Sequence, residues 1–241
     1  MCLTKRPTPQ NCVHCLVHST EMSWDHVFPT SWYPDTTPAD VEKWAIPSCI
    51  RCNHSYGQIE QDFLSRVALA LDPDHPASRS VIAKAMRGTD PTIARSDRDK
   101  RARDAKRKSL IDSLMTGDAI PREATFPGMQ EKWDRPIEEQ VAIAVSVDSV
   151  KRMASKIVRG IFHVVDKKLI EPPFEIEQFV VHEAEASGMH NILDRFGTEF
   201  SRPPGITVRR AVVPDDGMSS VFEITFWQQM KIYAVVEKIG N

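Results

Sequence analysis

Apolar positions change period along the chain, and the changes divide it into three stretches. Up to Gln58 there is little regular alternation. From there Ile59, Phe63, Leu64, Val67, Ala68 and Leu71 recur at helical spacing. Asp72-Pro73 closes the helix predicted over 58–71. The next stretch is polar, with a short helix predicted over 78–86 and a longer one over 97–114. Pro121, Pro127, Gly128 and Pro136 make 117–136 read as a linker or long loop. Beyond 138 the apolar content rises again. Val147, Val150, Met153, Ala154, Ile157, Val158 and Ile161 mark one face of a strongly amphipathic helix. Strand-like content follows over 174–182, 207–213, 221–227 and 231–236, with a helix over 183–196 between the first two. The pattern predicts an α+β chain: a small loop-rich unit over 1–72, a helical and partly basic connecting region over 73–137, and a separate α+β domain over 138–241.

Composition narrows the function classes only slightly. The chain has 241 residues, with 31 basic against 33 acidic ones and a formal net charge of -2. A nucleic-acid partner requires a basic contact face rather than a basic chain, so this balance neither supports nor excludes one. The 95–108 run holds eight basic and three acidic residues. Within it Arg98, Arg101, Lys106 and Arg107 are candidate phosphate contacts; a solvated helix face laced with i,i+4 pairs is the alternative. No apolar run is long enough to span a bilayer, and no membrane partner is expected. The polar start lacks the apolar core of a signal peptide, which points to the cytoplasm. Thiols stay reduced there, so cysteines read as metal ligands before disulfides.

Four of the five cysteines form two pairs, Cys12-x-x-Cys15 and Cys49-x-x-Cys52, separated by 33 residues. Each pair is a knuckle that aims two sulfurs at one point, and two knuckles complete a tetrahedral, structural Zn²⁺ site. His14, inside the first knuckle, and His18, just after it, are alternative ligands that four sulfurs make unnecessary. A redox dithiol accounts for one knuckle and leaves the other idle. Cys2 is spare.

Between the knuckles lies Trp24-Asp25-His26-Val27-Phe28-Pro29, and Asn53 follows the second knuckle directly. Asp-His-Val-x-Pro followed by Pro47-Ser48-Cys49-x-x-Cys52-Asn53 resembles the HNH, or ββα-metal, endonuclease family with zinc knuckles. The resemblance covers roughly residues 10–72. It implies a β-hairpin followed by a helix, and a metal-dependent endonuclease acting on nucleic acid, with DNA the expected substrate. By this resemblance His26 is the general base, and Asp25 and Asn53 bind a catalytic Mg²⁺ or Mn²⁺. Cleavage would leave 5′-phosphate and 3′-hydroxyl ends. Glu60, seven residues after Asn53, shares its helix face and is either a further ligand or a solvated residue. Arg51 is a candidate phosphate contact beside the metal end. Such proteins are associated with host defence and mobile elements.

Two departures matter. The family's middle Asn is missing where this chain has Trp44; a backbone carbonyl could take over its orienting role. Strand alternation also sends Asp25 and His26 to opposite faces, so both meet one ion only if the strand bends. A non-catalytic zinc-knuckle module that binds nucleic acid or protein is the rival reading. Residues 138–241 carry no legible chemistry; substrate selection, a homo-oligomer contact or a regulatory partner are their candidate roles.

Overall fold

A computed structural model describes residues 5–121, 136–180, 185–202 and 205–240. Two-residue strands β1 (Gln10–Asn11) and β2 (His18–Ser19) pair antiparallel and hold the first knuckle between them. Leu16 makes the turn tight by adopting a left-handed φ of 65° and returning its N–H to the Cys12 carbonyl at 2.8 Å. Strand β3 (Met22–His26) then pairs antiparallel with β4 (Ala45–Cys49), in unbroken register from Met22 opposite Cys49 to His26 opposite Ala45. Helix α1 (Ile50–Val67) begins at the next residue, and the Cys49 sulfur caps it by accepting the Cys52 N–H at 3.4 Å. It starts eight residues before the predicted 58–71 helix. Its first turns carry Arg51, Asn53 and His54 around the knuckle instead of an apolar stripe, so no helical period shows there.

Two further helices follow, α2 (Val81–Arg87) and α3 (Asp97–Asp112). Ser96 caps α3 by accepting the Asp99 N–H at 3.2 Å, and Leu110 is the one residue that helix buries. Strands β5 (Leu114–Thr116) and β6 (Val141–Ile143) pair antiparallel and had no counterpart in the sequence pattern. Much of the expected linker, residues 122–135, lies outside the described residues, as does Cys2.

Helix α4 (Val147–Ile161) coincides with the predicted amphipathic helix and runs into a π-helical turn, Phe162–Asp166. Strand β7 (Phe174–Phe179), α5 (Ser187–Phe196), β8 (Thr198–Glu199), β9 (Ile206–Val212), β10 (Ser220–Phe226) and β11 (Met230–Lys238) complete the chain. Residues 181–184, the expected end of one strand and start of a helix, lie outside the described residues. The five strands form one antiparallel sheet in the order β7-β11-β10-β9-β8. Phe222, Ile224, Phe226, Ile232 and Ala234 share the sheet face that joins the core. Tyr233 and Glu223 point the other way, to His190 on α5.

The separate domain expected over 138–241 is not separate. Trp32 stacks on Phe63 at 5.3 Å, meets Phe226 edge-on at 5.3 Å and lies 5.5 Å from Trp227. The Trp227 indole N–H donates to the Trp32 carbonyl at 2.9 Å, across 195 residues of sequence. Buried residues from Val13 to Val236 make one continuous cluster. Trp227 adopts a φ of 50°, a region bulky residues avoid, and its buried ring is held by these contacts. Burial of large aromatics on both sides drives this fusion, since each ring removes on the order of 150–250 Å² from water.

Candidate metal centre and a buried lysine cluster

The knuckles bring their sulfurs together as expected. The four sulfurs of Cys12, Cys15, Cys49 and Cys52 all lie within 4.8 Å of one another, with Cys15 and Cys49 at 4.0 Å. Sulfurs around a tetrahedral zinc with bonds of about 2.3 Å sit roughly 3.8 Å apart, so the donor set fits that ion. All four are free thiols. Cys12 is wholly buried. Burial alone would raise its pKa, but backbone donors of Cys15, Cys49 and His14 outweigh it and bring it to about 7. That favours the thiolate a metal needs. Among the described residues these four make the only cluster of three or more metal-binding side chains.

Asp25, His26 and Asn53 are not brought around one point. Strand β3 stays regular to its end, so Asp25 is buried under α1 and His26 stands half-buried on the opposite face. Both Asp25 oxygens are taken: Oδ2 by His14 Nε2 at 2.8 Å and Oδ1 by the Lys156 ammonium at 2.7 Å. Asn53 turns its amide nitrogen to the hydroxyl of Ser23 at 2.8 Å and the carbonyl of Trp24 at 3.1 Å. Its Oδ1 keeps no partner among the described residues. The bend that would point Asp25 and His26 at one ion is absent, so this set does not fit a divalent cation held jointly by Asp25 and Asn53.

His26 itself is well placed to exchange a proton. Its pKa is lowered from the ordinary 6.5, first by burial and then by the charges of Lys156 and Lys43. The Trp44 carbonyl, which accepts the Val27 N–H at 2.9 Å, and the Asp25 charge act the other way. Trp44 thus supplies a backbone carbonyl beside the imidazole, where the family pattern has an Asn. Nδ1 is enclosed without a well-formed hydrogen bond among the described residues. Nε2 is the ring nitrogen that is not enclosed.

Lys156 is the residue the sequence reading missed. Its side chain is fully buried, and its ammonium bridges Asp25 and Glu60. The Tyr56 ring roofs the cluster, 4.4 Å from the His14 ring and 5.6 Å from the Lys156 nitrogen. Burial pushes the Asp25 pKa up, yet the His14 hydrogen bond and the Lys156 charge outweigh it, and it falls below the usual carboxylate value. Glu60 is raised, by burial first, because Lys156 offsets only part of that cost. His14 is lowered by burial despite its bond to Asp25. A signal was present in the sequence. Lys156 falls three residues after Met153 and four before Gly160, on the apolar stripe of α4. Glu60 falls between Tyr56 and Leu64 on that of α1. Two opposite charges on the apolar faces of two helices are a pair in waiting.

The proposed phosphate contacts divide. Arg51, Arg98, Arg101 and Arg107 are exposed. Lys106 is half-buried and donates to the Gln61 carbonyl at 3.2 Å, so it fastens α3 to α1. Arg103 does the same towards the end of α2, through the carbonyl of Arg87, while pairing with Asp99. A cleft of about 600 Å³ separates α1, α2 and α3, with Glu60, Lys84, Arg103 and Lys106 on its walls. Among the described residues no helix is long and apolar enough to cross a membrane.

No protein-family model, curated protein or solved structure matches the chain.

Proposed function

We propose that the protein is an endonuclease that hydrolyses phosphodiester bonds in nucleic acid, DNA first, with His26 as the base that takes the proton from the attacking water. One observation carries the reading. His26 ends a strand of a β-hairpin that runs straight into a helix, beside a tetrathiolate cluster, and it presents an open Nε2 with a pKa below 6.5. A neutral imidazole at pH 7 is the form a general base requires. The exposed arginines of α3, with Arg51, supply the positive surface that phosphate binding needs. Zinc, when held by the four cysteines, keeps the knuckles closed and takes no part in proton transfer. Asn53 Oδ1 has no partner among the described residues, so Mg²⁺ and Mn²⁺ belong in the assay as separate conditions.

A specific observation favours a second reading, a zinc-knuckle module that binds nucleic acid or protein without cutting. Asp25 is spent on His14 and Lys156.

Nicking of supercoiled plasmid by zinc-loaded protein separates the two, run with Mg²⁺, with Mn²⁺ and with neither. The expected result is cleavage by the wild type and a loss of about 10²–10⁴-fold in His26→Ala. The acid limb of the wild-type pH profile falls below pH 6.5, the side to which the lowered His26 pKa moves it. Wild type and variant both inert while still binding DNA would establish the binding module. Equal cutting by both would remove His26 from the chemistry.

A further inference from the structure

The Asp25–Glu60 carboxylate pair already has a cation. Asp25 and Glu60 sit on β3 and α1, and both point at the ammonium of Lys156, which arrives from α4, 131 residues beyond Asp25. The ammonium is wholly buried, and Asp25 is nearly so. A lone buried carboxylate pair is strongly disfavoured, so something positive must sit between them. Here it is part of the chain.

The approach of α4 is built to deliver it. Gly160, one turn past Lys156, packs directly on Val27, two residues after Asp25. A methyl group at that position would come within 2.6 Å of a Val27 methyl carbon. Helix interiors disfavour glycine relative to alanine, so a glycine with a neighbour this close serves close approach. Arg152, one turn before Lys156, donates to the Ser55 hydroxyl at 2.8 Å and ties the same face of α4 to α1. Asp25 is held by His14 as well, so each of its oxygens already has a partner.

The geometry points to Lys156 as the resident counter-cation of the Asp25–Glu60 pair. A divalent ion shared by Asp25 and Glu60 would have to displace the Lys156 ammonium. Lys156 holds these carboxylates whether or not the protein cuts nucleic acid.

Mn²⁺ uptake tests it directly, followed by loss of the free-ion EPR signal in the zinc-loaded full chain. Wild type is expected to take up no Mn²⁺ through Asp25. Lys156→Gln is expected to bind one equivalent, at least about tenfold more tightly than any wild-type uptake. Adding Asp25→Asn to that variant should abolish the gain. Wild-type uptake that Asp25→Asn removes would overturn the proposal, as would a folded Lys156→Gln that binds no more than wild type. Should Lys156→Gln fail to fold, the double variant Asp25→Asn/Lys156→Gln decides. Recovery of the thermal transition supports the pairing, and no recovery overturns it.

Discussion

Two polar sites share the hairpin-and-helix unit, and they are completed in opposite ways. The four cysteines meet at one point as a donor set that could hold an ion from solution. Asp25 and Glu60 also meet, but around Lys156, so that site is finished by the chain itself. The first is assembled by residues close in sequence to two tight turns. The second needs a helix from the far half of the molecule. A short motif can therefore specify ligands without specifying what they hold.

Removing the ion is the hardest blow to that contrast. Cys49→Ser, or zinc chelation, is expected to cost about 4–5 kcal/mol or more, the range of metal loss. In a chain of this size that is a drop of roughly 10 °C or more in Tm, measured by calorimetry. An unchanged Tm in both cases would mean the thiols, like the carboxylates, need no outside partner. Gly160→Ala sharpens the other side. Overpacking against Val27 costs about 1–3 kcal/mol, offset by up to about 1 kcal/mol of helix propensity. A net loss of about 1–2 kcal/mol in urea unfolding is expected; a gain would show that α4 does not press on β3. The smallest effect belongs to the periphery. Replacing Arg98, Arg101 and Arg107 together by alanine should move stability by less than about 0.5 kcal/mol per site. DNA affinity should fall, with its salt dependence reduced by up to about three counterions, read by fluorescence anisotropy across salt concentrations. Unaltered salt dependence would leave these arginines as a solvated face.

How much of this was legible depended on sequence distance. The α4 helix was readable to the residue, because seven apolar positions repeat at one period. The cysteine cluster was readable because each knuckle is a local turn. The regularity of β3 was foreshadowed too, since alternation alone sends Asp25 and His26 apart, and no bulge intervenes. By contrast, Lys156 had no local partner to betray it. Its meaning appears only when α1 and α4 are packed and the two misplaced charges face each other. The boundary drawn at 138 failed for the same reason. Trp32 and Trp227 each look like the centre of a small core, and nothing nearby in sequence reveals that they share one. The first turns of α1 were hidden because a knuckle helix serves the metal end before it serves the core.

The indole of Trp227 resting on Trp32 also bears on how the molecule is made. The knuckles leave the ribosome before the hairpin near residue 230, which completes the aromatic core that supports them. Contacts this remote in sequence form late. A nascent chain released or truncated before that hairpin would carry Trp32 and Phe63 without Phe226 and Trp227, the kind of surface that recruits chaperones or aggregates. Since Lys156 lies on the same late-packing side, the acidic pair stays without its counter-charge until synthesis has passed α4. Biogenesis thus keeps the hairpin-and-helix unit unfinished until the rest of the chain has arrived.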